Sequence, residues 1–256
     1  MLFVIVSVAL AAGLLLGMLL FLEMGRRMGR RRLAMGPEAR AGVGVVEGAV
    51  YGLLALLVGF MFSGAADRFA ARRQLVAQQA NAASTAWLRV SLLPADQQPP
   101  VRASFRRYMD ALIAFYDASN SDVLLSRSPA VQHAESELWS TAVAACTTST
   151  GERARVLLLP AMNEMFDNVD MERMARHIHP PVVIFLMLGV AAMATALFAG
   201  YGMAGSPTRN WMYTLGIAAT ISIAAYVIIE LEYPRVGLIR VDPMDEVLRE
   251  LRASMD

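Results

Sequence analysis

The chain has 256 residues, 56% of them apolar before glycine is counted, which is more than an ordinary soluble domain carries. Its 23 basic residues, all arginine, stand against 22 acidic ones, a net charge of +1. That balance excludes a strongly basic nucleic-acid surface, and no basic stripe interleaved with aromatic residues is present.

The first apolar stretch, residues 1–22, carries no charge and no basic leader, and Arg26, Arg27, Arg30, Arg31 and Arg32 follow it. It is longer than the apolar core of a cleaved signal, so it reads as a retained anchor with its amino terminus translocated. A second uncharged stretch covers residues 48–66, and two more cover 181–201 and 211–229. At ~1.5 Å per residue each reaches about 28–33 Å, against a hydrocarbon core of ~30 Å. A soluble helix needs only one apolar stripe. The fold class is therefore all-α: a four-span helical membrane protein with a helical domain between spans two and three.

Four regions follow: residues 1–66, two spans and an arginine-rich loop; 67–180, an amphipathic helical domain; 181–229, a transmembrane hairpin; and 230–256, a tail with a short helix. The loop between the first two spans holds six arginines and three acids, which the positive-inside rule places in the cytoplasm. The expected location is the cell membrane, multi-pass, in the bacterial inner membrane.

In the middle region Leu75, Gln79, Ala82, Ala83, Ala86 and Val90 share a face of a helix that continues the second span and ends near Pro94. A second helix, near 101–118, has Val101, Phe105, Tyr108, Leu112, Phe115 and Tyr116 at helical spacing. A third opens with Ser128 as cap and Pro129 in its first turn, and turns Val131, Ala134, Leu138, Ala142 and Ala145 inward. A fourth, from about 151 to 178, is expected to bury Val156, Leu159, Met162, Phe166 and Val169 and to kink at Pro160. In the tail, Asp242 and Pro243 open a last helix with Val247, Leu248 and Leu251 on its apolar side.

The single cysteine, Cys146, follows the small residues 142–145 and reads as a buried packing thiol. No Cys/His metal spacing exists, and His177 and His179 do not share a helix face, so neither a metal nor another cofactor is expected. Hydrolase, phosphate-loop and zincin signatures are absent, and the protein does not read as an enzyme.

The second span is the most suggestive segment. Gly48, Gly52, Ala55, Gly59 and Ser63 recur every three or four residues and form a face of small side chains, with Tyr51, Leu56 and Phe62 along its edge. In lipid such a face permits close helix approach. It also suits a pore in a symmetric assembly, where a constriction of few polar groups can gate by dewetting. Glu47, Asp67 and Arg68 bracket the span as the pore mouth, while Glu230 and Glu232 close the fourth. Charges at span ends commonly snorkel or cap, and Asp67 and Arg68 could pair along the emerging helix.

These features, taken in order, carry a resemblance. The elements are the first span with its arginine cluster, Phe60-Met-Phe-Ser-Gly-Ala-Ala-Asp-Arg-Phe69 at the end of the second span, and Gln78-Gln-Ala-Asn-Ala-Ala-Ser-Thr-Ala-Trp87. After them come Leu92-Leu-Pro94 leading to Phe105-Arg-Arg-Tyr108, and the closing Leu231-Glu-Tyr-Pro-Arg-Val-Gly237 with Asp242-Pro243. The chain resembles the prokaryotic bestrophin-like family, a domain of unknown function distantly similar to bestrophins. The resemblance implies a pentameric anion channel whose second span lines the pore. The expected partners are thus the lipid bilayer, small anions and further copies of the chain, with no nucleic acid. The competing expectation is a membrane sensor or scaffold whose helical domain binds a ligand or partner protein. A secondary transporter fits less well, since no charge lies within the spans and no repeat is visible.

Overall fold

The computed structural model describes residues 2–34, 43–117, 128–148, 151–206, 211–233, 238–239 and 242–255. Among these residues there is no strand. The helices are α1 (Leu2–Leu33), α2 (Val43–Arg89), α3 (Gln98–Asp117), α4 (Pro129–Cys146), α5 (Glu152–His177), α6 (Val182–Gly202), α7 (Trp211–Glu232) and α8 (Asp242–Ala253), with short 3-10 turns at Val90–Leu92 and Met203–Gly205. Four helical stretches are long and apolar enough to cross a membrane. The expected all-α, four-span class with helices between spans two and three is what the structure shows.

The chain divides into two compact units. Unit 1 comprises Met1–Arg68 and His179–Tyr233, and unit 2 comprises Phe69–Ile178 and Pro234–Asp256. Helix α2 gives its residues up to Arg68 to the first unit and the remainder to the second.

In unit 1 the tightest packing joins α1 to α6, and glycine makes it possible. A Cβ on Gly25 would lie 1.9 Å from the Leu197 carbonyl oxygen, and one on Gly200 would lie 1.9 Å from that of Leu22. The two backbones therefore touch where neither side chain could fit, the close approach that small residues allow between helices in lipid. Around this contact Met18, Leu22, Leu188, Ala192, Ala196, Ala199 and Ala218 form the core, joined by Leu54 of α2. The outward faces stay apolar: Ile5, Leu16, Val183, Val190, Met212 and Ile223 are all exposed. Water would penalise such a surface, whereas acyl chains do not.

Unit 2 has a water-soluble pattern instead. Phe105, Tyr108, Met109 and Leu112 of α3 meet Leu138 of α4 and Leu158, Met162 and Met165 of α5 in one core. Trp87 stands edge-on to Phe105 at 5.5 Å, and Tyr108 to Phe166 at 5.3 Å. Helix α8 is fastened to α3 by Arg252 to Asp110 (2.7 Å) and by Arg106 to the Met255 carbonyl (2.9 Å). Burial pushes the Tyr108 phenol well above its usual range, and the nearby Tyr116, Glu135 and Asp170 add to the shift.

The expected inner faces of α3 and α4 are observed, apart from Phe115, which is half-buried. Val156, Val247 and the Ser128 cap differ from expectation, while Pro160 lies within its helix as expected. Val156, expected inside α5, is 74% exposed, and the buried face is Ala154, Leu158, Ala161, Met162 and Met165. Both sets have helical spacing, and of the expected set Leu159, Phe166 and Val169 are half-buried. Pro160 lies inside α5 without ending it. The carbonyl it leaves without a partner belongs to the exposed turn at Val156, where solvent can satisfy it. In α8, Val247 is exposed, while Leu248 and Met255 are buried. Ser128 occupies the N-cap position of α4 with Pro129 behind it, but its side chain makes no capping hydrogen bond.

Candidate functional site

Along residues 48–66 of α2 only Leu54, Met61 and Ala65 are buried. They recur at intervals of seven and four, and Val50, Tyr51, Leu57, Val58, Gly64 and Ala66 flank them half-buried, so the span rests on its own unit along one side. The other side is open. Gly48, Gly52, Ala55, Leu56, Gly59, Phe62 and Ser63 are exposed, and Tyr51 is half-buried. A Cβ added at Gly48, Gly52 or Gly59 would meet nothing within 4 Å. Among the described glycines, the close backbone-to-backbone contacts between spans belong to α1 and α6, a seam that the sequence reading did not single out. Its signal was present, since Gly17, Gly25 and Gly29 repeat at intervals of eight and four.

At about 100° per residue, the second-span residues divide into two sectors. Gly48, Gly52, Leu56, Gly59 and Ser63 face one way. Tyr51, Ala55 and Phe62 turn toward α6 and α7, where with Leu54, Val58, Gly59, Thr195 and Ile221 they line an apolar groove of about 580 Å³. At the start of the span a second cavity, about 460 Å³, is lined by Glu23, Arg26, Glu47, Tyr51, Ser206 and Thr214 together with apolar neighbours. Glu47 is half-buried, and its carboxylate lies so close to Gly202 that a Cβ there would sit 2.8 Å from Oε1.

The far end of the second span carries a different constellation. Asp67 is exposed, and Arg68 does not pair along the helix with it. Adjacent helical residues diverge and do not face each other. The Arg68 guanidinium instead grips Glu232 at the end of α7, with Nε 2.9 Å from Oε1 and Nη2 bonding the same oxygen. Glu232 is completely buried. His179, at the entry to α6, places Nδ1 3.7 Å from Glu232 Oε2 and stacks on Tyr233 with ring centroids 4.5 Å apart. Phe3 of α1 lies against the same tyrosine at 5.1 Å. Two residues earlier Glu230, also fully buried, accepts a hydrogen bond of 3.0 Å from the Ser7 hydroxyl.

Snorkelling or capping was the sequence expectation for Glu230 and Glu232; they point inward and bind partners. The partners lie 223 and 164 positions away in the chain, so local spacing holds no trace of them. Buried carboxylates survive only when ion-paired and hydrogen-bonded, and both conditions are met at Glu232. His177 is exposed and takes no part.

No protein-family model matches the sequence, and no curated protein is similar enough to match it. Solved structures do match. Three variants of a bacterial bestrophin homologue from Klebsiella pneumoniae have the same fold. One has a TM-score of 0.69 at 16% identity, covering 96% of this chain and 98% of that one. A second scores 0.65 at 15% identity over 94% and 96%, and a third 0.67 at 13% identity over 94% and 98%. The likeness is one of fold, and the bestrophin-like fold implied by the sequence resemblance is the one the chain has.

Proposed function

We propose that the chain is the subunit of an oligomeric membrane ion channel, anion-conducting, with the second span lining the pore. The observation that carries this reading is the state of α2. A helix long enough to cross the bilayer has open space within 4 Å of where a side chain would begin at Gly48, Gly52 and Gly59. Glycine has low helix propensity and offers acyl chains nothing to pack against, so such a stripe suits either a neighbouring helix or a water-filled conduit. The bestrophin fold favours the conduit, because the resemblance implies a ring of five with the second span at its axis. Glu47, Asp67 and Arg68 then stand at its mouths, and Leu56 supplies the apolar girth. Small anions are the permeant species on the same resemblance, and the bacterial inner membrane is the place of action.

The test is reconstitution of the purified full chain in planar bilayers, where single-channel steps are expected. Gly52→Trp and Ser63→Trp, both on the sector that faces away from α6 and α7, should abolish conduction while leaving stability within about 0.5 kcal/mol of wild type, the usual range for exposed positions. A silent wild type under varied voltage, calcium and pH would end the proposal, as would unchanged current in both variants. A partner protein that co-purifies without any ion flux would move the reading to a sensor or scaffold.

A further inference from the structure

Helix α2 does not stop where its apolar stretch ends; it runs unbroken from Val43 to Arg89. Gly52, Gly59 and Ser63 share one face of it. At 100° per residue, Ala70, Gln74 and Asn81 fall within the same arc of about 60°. All six are exposed, and so is Gln78 on the flank of that arc. On the exposed side of residues 69–88 the only ionised side chain is Arg73. Its guanidinium lies 6.0 Å from the centre of the Phe69 ring and makes no ion pair among the described residues. The face that suits a conduit inside the bilayer therefore continues outside it, carrying amides in place of glycines.

We propose that Gln74, Gln78 and Asn81 touch the permeant anion, as an amide-lined continuation of the conduit in which Arg73 supplies the preference for negative charge. The inference rests on the channel reading and deepens it. A carboxamide offers an anion two N–H donors in place of the water it sheds, with no net charge to trap it. A conducting site has to release its ion as readily as it takes it up. Exposed Asp67 sets the opposite charge at the end of the span, about 9 Å before Arg73 along the axis. Arg73 and the amides are then the groups that favour an anion beyond that point. Lipid does not suit this face. Asn81 stands about 22 Å along α2 from residue 66, where the uncharged stretch ends, and acyl chains would leave all three amides without hydrogen bonds. A second copy packed flat on the face would bury the amides and Arg73 and would need a partner for each. Water meets that need directly.

The reversal potential of the reconstituted full chain, in a potassium chloride gradient across a planar bilayer, tests the assignment. Wild type should select chloride. Gln74→Glu and Asn81→Asp keep the shape of the side chain, and each should lower the chloride-to-potassium permeability ratio at least about fivefold, the order expected of one charge ~4 Å from the ion in water. Ser140→Asp, on the exposed side of α4, should leave the ratio unchanged. In Asn81→Cys an anionic methanethiosulfonate reagent should reduce the current, whereas wild type, whose Cys146 is buried, should not respond. A silent wild type would end the channel reading itself. A conducting wild type that selects potassium would overturn the amide assignment alone, as would a ratio unmoved in both carboxylate variants or an equal shift in Ser140→Asp. Should the carboxylate variants fail to assemble, Asn81→Cys decides: a current indifferent to the reagent would overturn the proposal.

Discussion

Glu232 shows how much a single buried carboxylate can depend on distant parts of the chain. Its side chain is wholly enclosed, and Arg68 reaches it from 164 positions away. Removing one member of a buried ion pair strands the other, at a cost of about 3–5 kcal/mol, whereas replacing both by apolar residues is often neutral. Arg68→Met alone should therefore lower the denaturation midpoint in detergent strongly, and Arg68→Met with Glu232→Leu should recover most of the loss. If the two changes were merely additive, the ion pair would not be what holds these helix ends together. Cys146 offers a second check at this scale. It is buried at the end of α4, and burial pushes its thiol above the usual range against the opposing charge of Arg155. The reactive thiolate is thus scarcer at neutral pH than in a free cysteine, and its appearance shifts to higher pH. Maleimide should label Cys146 slowly in the native protein at pH 7 and fully after unfolding; rapid native labelling would contradict the burial. The cysteine's burial was legible from the small residues before it. The carboxylate network was not, because nothing near Glu230 or Glu232 in sequence distinguishes an inward charge from one that reaches for the headgroups.

Elements were legible where composition alone decides them. Four uncharged stretches of about 20 residues leave a bilayer as their natural solvent, and the turn after Leu93 follows from Pro94, which holds its predecessor extended at ψ 153°. The rotation of a helix about its axis was harder to read. Helix α5 is apolar on more than one side, so the face containing Val156 and the face containing Leu158 satisfy the same periodicity. The same difficulty hid the seam between α1 and α6, since glycines recur in the first span and in the second alike. Structure separates the two sets by what surrounds them, and substitution should do so too. Gly200→Ala drives a Cβ to within 1.9 Å of the Leu22 carbonyl, so α1 and α6 must part along their main contact. A loss of several kcal/mol is expected, in the range of overpacked cores and above. Gly52→Ala meets open space and removes a poor helix former, which should leave stability unchanged or raise it by up to about 1 kcal/mol. Melting temperatures of the two variants would settle the contrast, and equal losses would mean that the second span also packs tightly through its glycines.

For the whole molecule, the decisive matter is what completes the second span. Lipid supplies no hydrophobic force to drive helices together, so association there depends on packing, hydrogen bonds and the fit of small surfaces. Helix α2 has spent little of its surface on its own chain: only Leu54, Met61 and Ala65 of residues 48–66 are buried. A lone subunit would present glycines to acyl chains and gain almost nothing from them. Repetition about an axis removes this mismatch, because each copy can turn the same sector toward the centre and offer its flank to the next, and a closed ring leaves no copy incomplete. The expectation is therefore a single closed species in mild detergent, with five copies on the bestrophin resemblance and no ladder of smaller forms at micromolar concentration. Mass photometry or native mass spectrometry reads this directly. Gly52→Ala, which is harmless within one chain, becomes informative here: it should leave the ring intact if Gly52 faces a conduit, and weaken it if Gly52 meets a neighbouring helix. A stable monomer that nevertheless conducts would refute the ring, since its path would then run within one chain and not along the open side of the second span.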